Sequence, residues 1–131
     1  MNREILFRGK CVDEWFYGDL LRFADTTQIW YEEEGYGKVN VIVNPETVGQ
    51  YTGKELDGEK LFTGDIVETC EDYDDIFGYP TTSVFNSVVI WDDKNFCYAL
   101  KTGDFIQPFN DWNWDNCRLI DNIHDNPELI G

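Results

Sequence analysis

The sequence SVFNSVVIWDDKNFCYALK, at residues 83–101, is the clearest structural signal in the chain. Two runs rich in β-branched and aromatic residues, 83–91 and 96–101, are separated by the polar residues Asp-Asp-Lys-Asn at 92–95. Two such runs joined by a short polar segment are typical of a β-hairpin. We therefore expect two antiparallel strands here.

The sequence on both sides of this hairpin predicts further strands and turns. Upstream, Gly64 and Asp65 favour a tight turn before a strand that starts at Ile66. Residues 71–80 combine several acids with a glycine and a proline, which is typical of a loop. Downstream, residues 111–115 read DWNWD, and at a strand's period of two both indoles lie on one face.

The N-terminal half has the same character. Residues 3–12 and 15–21 predict a hairpin, and residues 26–31 and 39–43 predict two more strands. No long window of the sequence has a helical period. The expected class is therefore all-β.

Only short helical turns are expected. Asn44 followed by Pro45 favours one such turn at residues 44–49, since asparagine is a good N-cap and proline fits the first helical position. The sequence Asn-Pro-Glu at residues 126–128 predicts a similar turn at the end of the fold.

Composition places the chain among single-domain globular proteins. It has 131 residues, of which 42% are hydrophobic and 16% aromatic, which is ample material for a core. Its apolar runs are far shorter than the roughly 18 consecutive residues of a membrane span. The opening sequence MNRE lacks the regions of a secretory signal, so we expect a cytoplasmic protein.

Charge dominates the electrostatics of the chain. Its formal net charge is −16, from 26 acidic and 10 basic residues, which opposes contact with phosphate backbones and anionic lipid. We therefore expect no direct binding to nucleic acid or membranes. Solvated acidic faces that keep the protein soluble account for this charge. The alternative is a DNA mimic, whose carboxylates stand where a DNA-binding protein expects phosphates.

The four cysteines are Cys11, Cys70, Cys97 and Cys117. No two of them form the CxxC pair that brings two thiolates onto one metal. Because no export signal is present, a disulfide framework is not expected either. We predict four reduced thiols.

Residues with catalytic or metal-binding chemistry are few and dispersed. His124 is the only histidine, and no serine or cysteine lies near it in a nucleophile motif. Residues 35–38, GYGK, lack the spacing of a phosphate-binding loop. Asp111, Asn113 and Asp115 match the first positions of a calcium loop, but its glycine and its closing glutamate are both replaced by asparagine. We expect no catalytic residue, cofactor or metal.

Aromatic residues are the best candidates for a functional surface, because Trp and Tyr are favoured anchors of protein interfaces. The candidate interaction surface consists of Asp111, Trp112, Trp114 and Asp115. An unguarded strand edge is a template for pairing. We therefore also expect a homo-oligomer, with residues 111–115 or the strand at 88–91 at the contact.

Five segments, read in order, are similar to the signature of the YopX family of phage and prophage proteins. They are residues 5–10 (ILFRGK), 15–20 (WFYGDL), 45–53 (PETVGQYTG), 64–67 (GDIV) and 122–129 (NIHDNPEL). One departure is Asp121, at a position where glycine is common. The resemblance implies one all-β domain over residues 1–131, with strands and turns in 1–60 and a small SH3-like barrel sheet in 61–131. It also implies structural roles for Gly64, Asp65, Asn122, Asn126, Pro127 and Glu128.

The resemblance implies a phage or prophage setting and no particular reaction. We predict a non-enzymatic module that binds a host or phage protein. Besides the DNA mimic, a second alternative is a metal-dependent enzyme, which requires three or more of seven aspartates to converge on one pocket. The seven are Asp72, Asp74, Asp75, Asp92, Asp93, Asp111 and Asp115.

Overall fold

Strand makes up 67% of the residues that the structure describes, and no helix among them reaches seven residues. A computed structural model describes residues 4–130, so Arg3, at the start of the first predicted strand, lies outside it. β-Branched and aromatic residues fit a pleated, half-buried surface, which explains the strand content. The prediction of an all-β class is confirmed. The chain divides into two compact units, Met1–Lys54 and Glu55–Gly131.

The first unit is built from antiparallel strands in the order β4-β3-β2-β1-β5. Their bounds are Phe7–Cys11 (β1), Glu14–Phe23 (β2), Thr26–Glu33 (β3), Gly37–Ile42 (β4) and Asn44–Leu56 (β5). The first half of β2 pairs with β1 and its second half with β3. Gly18 lies where the partner changes, and a Cβ there would clash with the carbonyl oxygen of Trp30. Glycine is therefore required at this position.

The second unit contains the last two residues of β5 and six further strands. Their bounds are Glu59–Phe62 (β6), Asp65–Asp74 (β7), Pro80–Asp92 (β8), Cys97–Thr102 (β9), Phe105–Pro108 (β10) and Cys117–Asn122 (β11). Five of these form an antiparallel sheet in the order β10-β9-β8-β7-β11. Two 3-10 helices, Phe109–Asp111 and Pro127–Ile130, flank β11. The hairpin predicted at residues 83–101 is confirmed as β8 and β9.

The core of the second unit lies on one face of this sheet. Val67, Val89 and Leu100 lie on the same face of β7, β8 and β9. Val89 is opposite Leu100, and Val67 is opposite Ser87, which is two residues before Val89 and therefore on its face. Leu56, Leu61 and Cys117 complete the buried cluster. Alternation along β8 thus gives one face that is covered and one that is partly exposed.

The helical turn predicted at residues 44–49 is wrong, because this segment begins β5. Its backbone pairs with β1, where Lys10 is opposite Asn44 across an irregular register. The Thr47 hydroxyl accepts a hydrogen bond from the Lys10 backbone N–H at 2.8 Å, and it donates one to the Asn44 carbonyl at 2.6 Å. These two bonds stabilise the irregular start of a strand and not a helical turn.

The loop predicted at residues 71–80 is mostly wrong. β7 continues to Asp74 and β8 begins at Pro80, and these two residues are paired. The side chains of Asp72 and Asp74 are exposed, so their charges do not interfere with the backbone ladder. Only residues 75–79 remain outside the strands.

The strand predicted at residues 111–115 is also wrong. A 3-10 helix at Phe109–Asp111 precedes irregular chain as far as β11. Exposed and half-buried residues still alternate at 111–115. This alternation comes from packing, which turns the two indoles inward, and not from strand geometry.

The sheets are open, so the SH3-like barrel expected in residues 61–131 is not confirmed. The two predicted contact segments are not sheet edges either. Residues 111–115 form no strand, and residues 88–91 belong to β8, which lies between β7 and β9. The homo-oligomer itself stays a prediction.

Candidate interaction surfaces

The chain between β10 and β11 crosses one face of the second sheet. β10 and β11 are opposite edges of that sheet, so the connection at residues 109–116 has to span it. We call this segment the strap. Phe109, Trp112 and Trp114 of the strap pack against the buried cluster around Leu100. The strap thus covers part of the core.

Both indoles of the strap have specific polar contacts. The Trp114 indole N–H donates to the carbonyl oxygen of Phe109 at 3.2 Å, and its ring meets that of Phe109 edge-on, with centroids 5.0 Å apart. The Trp112 indole N–H donates to the sulfur of Cys117 at 3.3 Å. Of the four candidate surface residues, the structure therefore turns Asp111 and Asp115 to solvent and half-buries the two tryptophans.

A groove of about 370 Å³ lies beside the strap. The aromatic residues Phe85, Phe105 and Trp112 line it, together with the acidic residues Glu71 and Asp111. The remaining lining residues are Thr102, Gln107 and Asn113. The groove thus brings Asp111 and Trp112 of the candidate surface together with residues from the sheet that the sequence did not single out.

The turn between β7 and β8 is a second surface feature, which we call the hairpin tip (residues 75–79). One carboxylate oxygen of Asp75 accepts hydrogen bonds from the backbone N–H groups of Phe77, at 2.8 Å, and Tyr79, at 2.9 Å. The Asp75 N–H donates to the Tyr79 carbonyl at 2.9 Å. These bonds stabilise the turn, as is usual when aspartate caps a turn.

The hairpin tip presents large apolar side chains to solvent. Ile76 is 93% exposed, Phe77 77% and Tyr79 68%. The loop predicted at residues 71–80 contains this segment, but no surface role was predicted for it. The sequence feature that could have revealed the tip is Ile-Phe between an aspartate and a glycine. A loop without a binding role has little need of two large apolar residues at its apex.

The family-motif residues Gly64 and Asp65 connect the start of β7 to β6 and β8 by hydrogen bonds. Gly64 has a φ of 94°, which other residues rarely adopt. Its N–H donates to the Val89 carbonyl at 2.8 Å. The buried Asp65 carboxylate accepts a hydrogen bond from the Phe62 N–H at 2.7 Å. These residues close the turn between β6 and β7.

The second motif organises the C-terminal turn. The buried Asn122 side chain accepts hydrogen bonds from the N–H groups of His124 and Asp125, both at 3.0 Å. The Asn126 side chain donates to the carboxylate of Asp121, the residue that departs from the family pattern. Pro127 and Glu128, both exposed, begin the second 3-10 helix. His124 is half-buried within this turn.

Asp92 caps the turn between β8 and β9. Its carboxylate accepts hydrogen bonds from the Asn95 side chain at 2.8 Å and from the Lys94 backbone N–H at 3.1 Å. The bond from Asn95 is the main reason that the pKa of Asp92 lies below its usual value. Between β11 and β7, a hydrogen bond to Glu68 raises the pKa of Arg118.

Residues with metal or nucleophile chemistry do not gather within residues 4–130. No group of three or more His, Cys, Asp or Glu side chains there could hold a metal ion. Of the seven aspartates considered for a metal-dependent enzyme, the groove contains Asp111, and a shallow hollow beside the tip contains Asp72 and Asp74. All four cysteines are free thiols. The DNA-mimic alternative stays a prediction.

Among the described residues, no helix has both the length and the apolarity that a membrane crossing requires. Searches among curated proteins and among solved structures gave no significant match. The family model described as YopX protein matches residues 6–131. This match covers nearly all of the sequence, including the strands of both units. The chain therefore belongs to the YopX family.

Proposed function

We propose that this YopX family member is a non-enzymatic protein-interaction module of the cytoplasm of a phage- or prophage-carrying cell. The observation that carries the proposal is the hairpin tip, where Ile76, Phe77 and Tyr79 are exposed on a turn fixed by Asp75. Exposed apolar residues grouped on an ordered scaffold are typical of interaction sites. A turn that is already ordered loses little conformational entropy on binding.

The surroundings of the tip indicate the chemistry of its partner. Asp72 and Asp74 are exposed on the strand that leads to the tip, and residues 71–80 contain no lysine or arginine. A complementary surface would have an apolar cleft for Phe77 and a basic rim. The net charge of −16 favours such a basic partner over long range.

Capture of partners from producing cells tests the proposal. The tagged chain is compared with a Phe77→Asp variant and with a matched control, Phe96→Asp. Phe96 is 79% exposed in the turn at the other end of β8, and its φ of 51° suits aspartate. We expect one stoichiometric partner, retained by the control and lost by Phe77→Asp.

The result also separates self-association from binding to another protein. If the captured chain is a second copy, and Phe77→Asp releases it, the tip is a homo-oligomer contact. A partner that Phe77→Asp retains shows that the tip is not the interaction surface. If no partner is captured by any of the three proteins, the interaction function is wrong.

A further inference from the structure

The groove beside the strap has walls that suit a cation. Phe85, Phe105 and Trp112 supply its apolar surface. The face of an aromatic ring attracts an ammonium or guanidinium group placed over it. The acidic residues Glu71 and Asp111 line the same groove, and no lysine, arginine or histidine is among the described residues of its lining. Aromatic walls and carboxylates together favour a positively charged ligand.

Hydrogen bonds and ring packing hold the part of these walls that the strap and Phe85 form. Phe85 and Trp112 meet nearly at right angles, with 76° between their ring planes and 6.2 Å between centroids. The Trp112 indole N–H is bonded to Cys117, and the Gln107 side chain donates to the Asp111 carbonyl oxygen at 2.7 Å. The strap is thereby attached to both the β10 and the β11 side of the sheet. A preformed site of this kind binds with little reorganisation.

We propose that this groove binds an arginine side chain of a partner protein. A guanidinium group is planar, stacks on aromatic faces and forms two parallel hydrogen bonds to a carboxylate. The ammonium group of lysine is compact and strongly hydrated, so it gains less from aromatic walls. The volume of the groove, about 370 Å³, accommodates one side chain rather than a folded element.

This inference rests on the proposed interaction function in one respect, since the arginine belongs to a protein partner. The groove and the hairpin tip are lined by different residues, so each surface can be tested alone. Glu71 is on β7, the strand that leads to the tip, which allows one partner to contact both surfaces.

Nuclear magnetic resonance of the whole chain tests the groove directly. The probe is the blocked tripeptide Gly-Arg-Gly, titrated into the 15N-labelled protein. We expect saturable shifts of the Trp112 indole N–H and of the Phe105 amide. A matched peptide with citrulline, which has the shape of arginine without its charge, is expected to bind about tenfold more weakly. Equal binding of the two peptides, or shifts confined to other residues, overturns the proposal.

Substitutions in the groove sharpen this test. Glu71→Gln and Asp111→Asn are each expected to raise the peptide Kd by about 2- to 5-fold, as for an exposed ion pair. Phe105→Ala removes an aromatic wall and is expected to raise Kd by about 2- to 5-fold as well. Asp93→Asn is the control, because it removes one charge at an exposed turn outside the groove. If this control weakens binding as much, the peptide responds to net charge and the groove is not its site.

Two small cations, tetramethylammonium and spermidine, test whether the groove binds a free cation and not the side chain of a protein. If either shifts the Trp112 resonance at lower concentration than the arginine peptide does, the groove takes a free cation and the arginine proposal is wrong. Peptide binding without capture of any protein means that the interaction function fails while the groove still recognises arginine. If Phe77 is needed to capture a partner but the peptide does not bind, the interaction function holds and the arginine proposal is wrong.

Discussion

The strap and the hairpin tip are both short aromatic segments flanked by acids, yet the fold uses them in opposite ways. In the strap, the indoles of Trp112 and Trp114 pack on the core, and each donates a hydrogen bond. In the tip, Ile76 and Phe77 are 93% and 77% exposed, and the Asp75 carboxylate accepts hydrogen bonds from backbone N–H groups. An aromatic residue between acids therefore does not by itself indicate a surface. The path of the chain over the sheet decides which way it points.

Replacing an inward aromatic should have the largest effect. Trp114→Ala removes a half-buried ring and its hydrogen bond to Phe109, and we expect the free energy of unfolding to fall by about 2 to 4 kcal/mol. Phe77→Ala, an aromatic truncation at the tip, should change it by less than about 0.5 kcal/mol. Urea unfolding followed by circular dichroism measures both. Equal losses in the two variants would falsify the contrast between the segments.

A conservative variant divides this effect into its parts. Trp114→Phe retains an aromatic ring but loses the N–H that donates to the Phe109 carbonyl. We expect it to cost about 1 kcal/mol, the usual net contribution of one hydrogen bond. A loss as large as that of Trp114→Ala would mean that the hydrogen bond, and not ring packing, attaches the strap.

The aspartate that holds the tip should matter less than the strap tryptophans. Asp75→Ala leaves the N–H groups of Phe77 and Tyr79 without their carboxylate acceptor, but water can reach this turn. We expect a loss of about 1 kcal/mol, with faster amide exchange at these two positions. Asp74→Ala, at the neighbouring exposed carboxylate, is the control and should leave that exchange unchanged. Unchanged exchange in Asp75→Ala would show that the tip is ordered by other contacts.

The sequence predicted the elements that depend on a local pattern. The predictions failed where contacts between distant segments of the chain determine the structure. The β8–β9 hairpin followed from two apolar runs around Asp-Asp-Lys-Asn, and the tight turn before β7 followed from Gly64. The start of β5 was mistaken for a helical turn because pairing with β1 is a contact between residues far apart in sequence. The position of the strap was likewise hidden, since it depends on β10 and β11 being opposite edges.

Candidate sites followed the same division. Asp111 and Trp112 were identified from the alternation of acidic and aromatic residues at 111–115, and they line the groove. Their partners Glu71, Phe85 and Phe105 come from other strands, and no local motif connects them to the strap. The YopX signature predicted where structural turns occur, but it does not contain the hairpin tip, where Ile76, the most exposed large apolar residue among those the structure describes, lies.

The turn at the other end of β8 offers a smaller, pH-dependent comparison with the tip. Hydrogen bonds, first from Asn95, lower the pKa of Asp92 below its usual value of 3.8. Because the folded pKa is below the unfolded one, the stabilisation is fully present above the unfolded value and is lost as pH falls through the folded value. We therefore expect the difference in unfolding free energy between wild type and Asp92→Asn to be constant near neutral pH and to shrink below pH 3.8. Asp93→Asn is the control for general charge effects, and a difference that grows in acid would contradict the sign.

The smallest expected effect on stability is at the apex of the tip, and it carries the most information about function. Ile76 is 93% exposed, so Ile76→Ser should change the free energy of unfolding by less than about 0.5 kcal/mol. The same change removes an apolar contact that a second copy could use. Repulsion between copies that each carry a net charge of −16 weakens as salt increases, so we expect the wild type to associate more at high salt than at low salt. Light scattering of wild type and Ile76→Ser at both salt concentrations measures this difference. If Ile76→Ser associates as the wild type does, the contact lies elsewhere; if the wild type is monomeric at both, the predicted homo-oligomer does not form, and the exposed tip is left for a different protein.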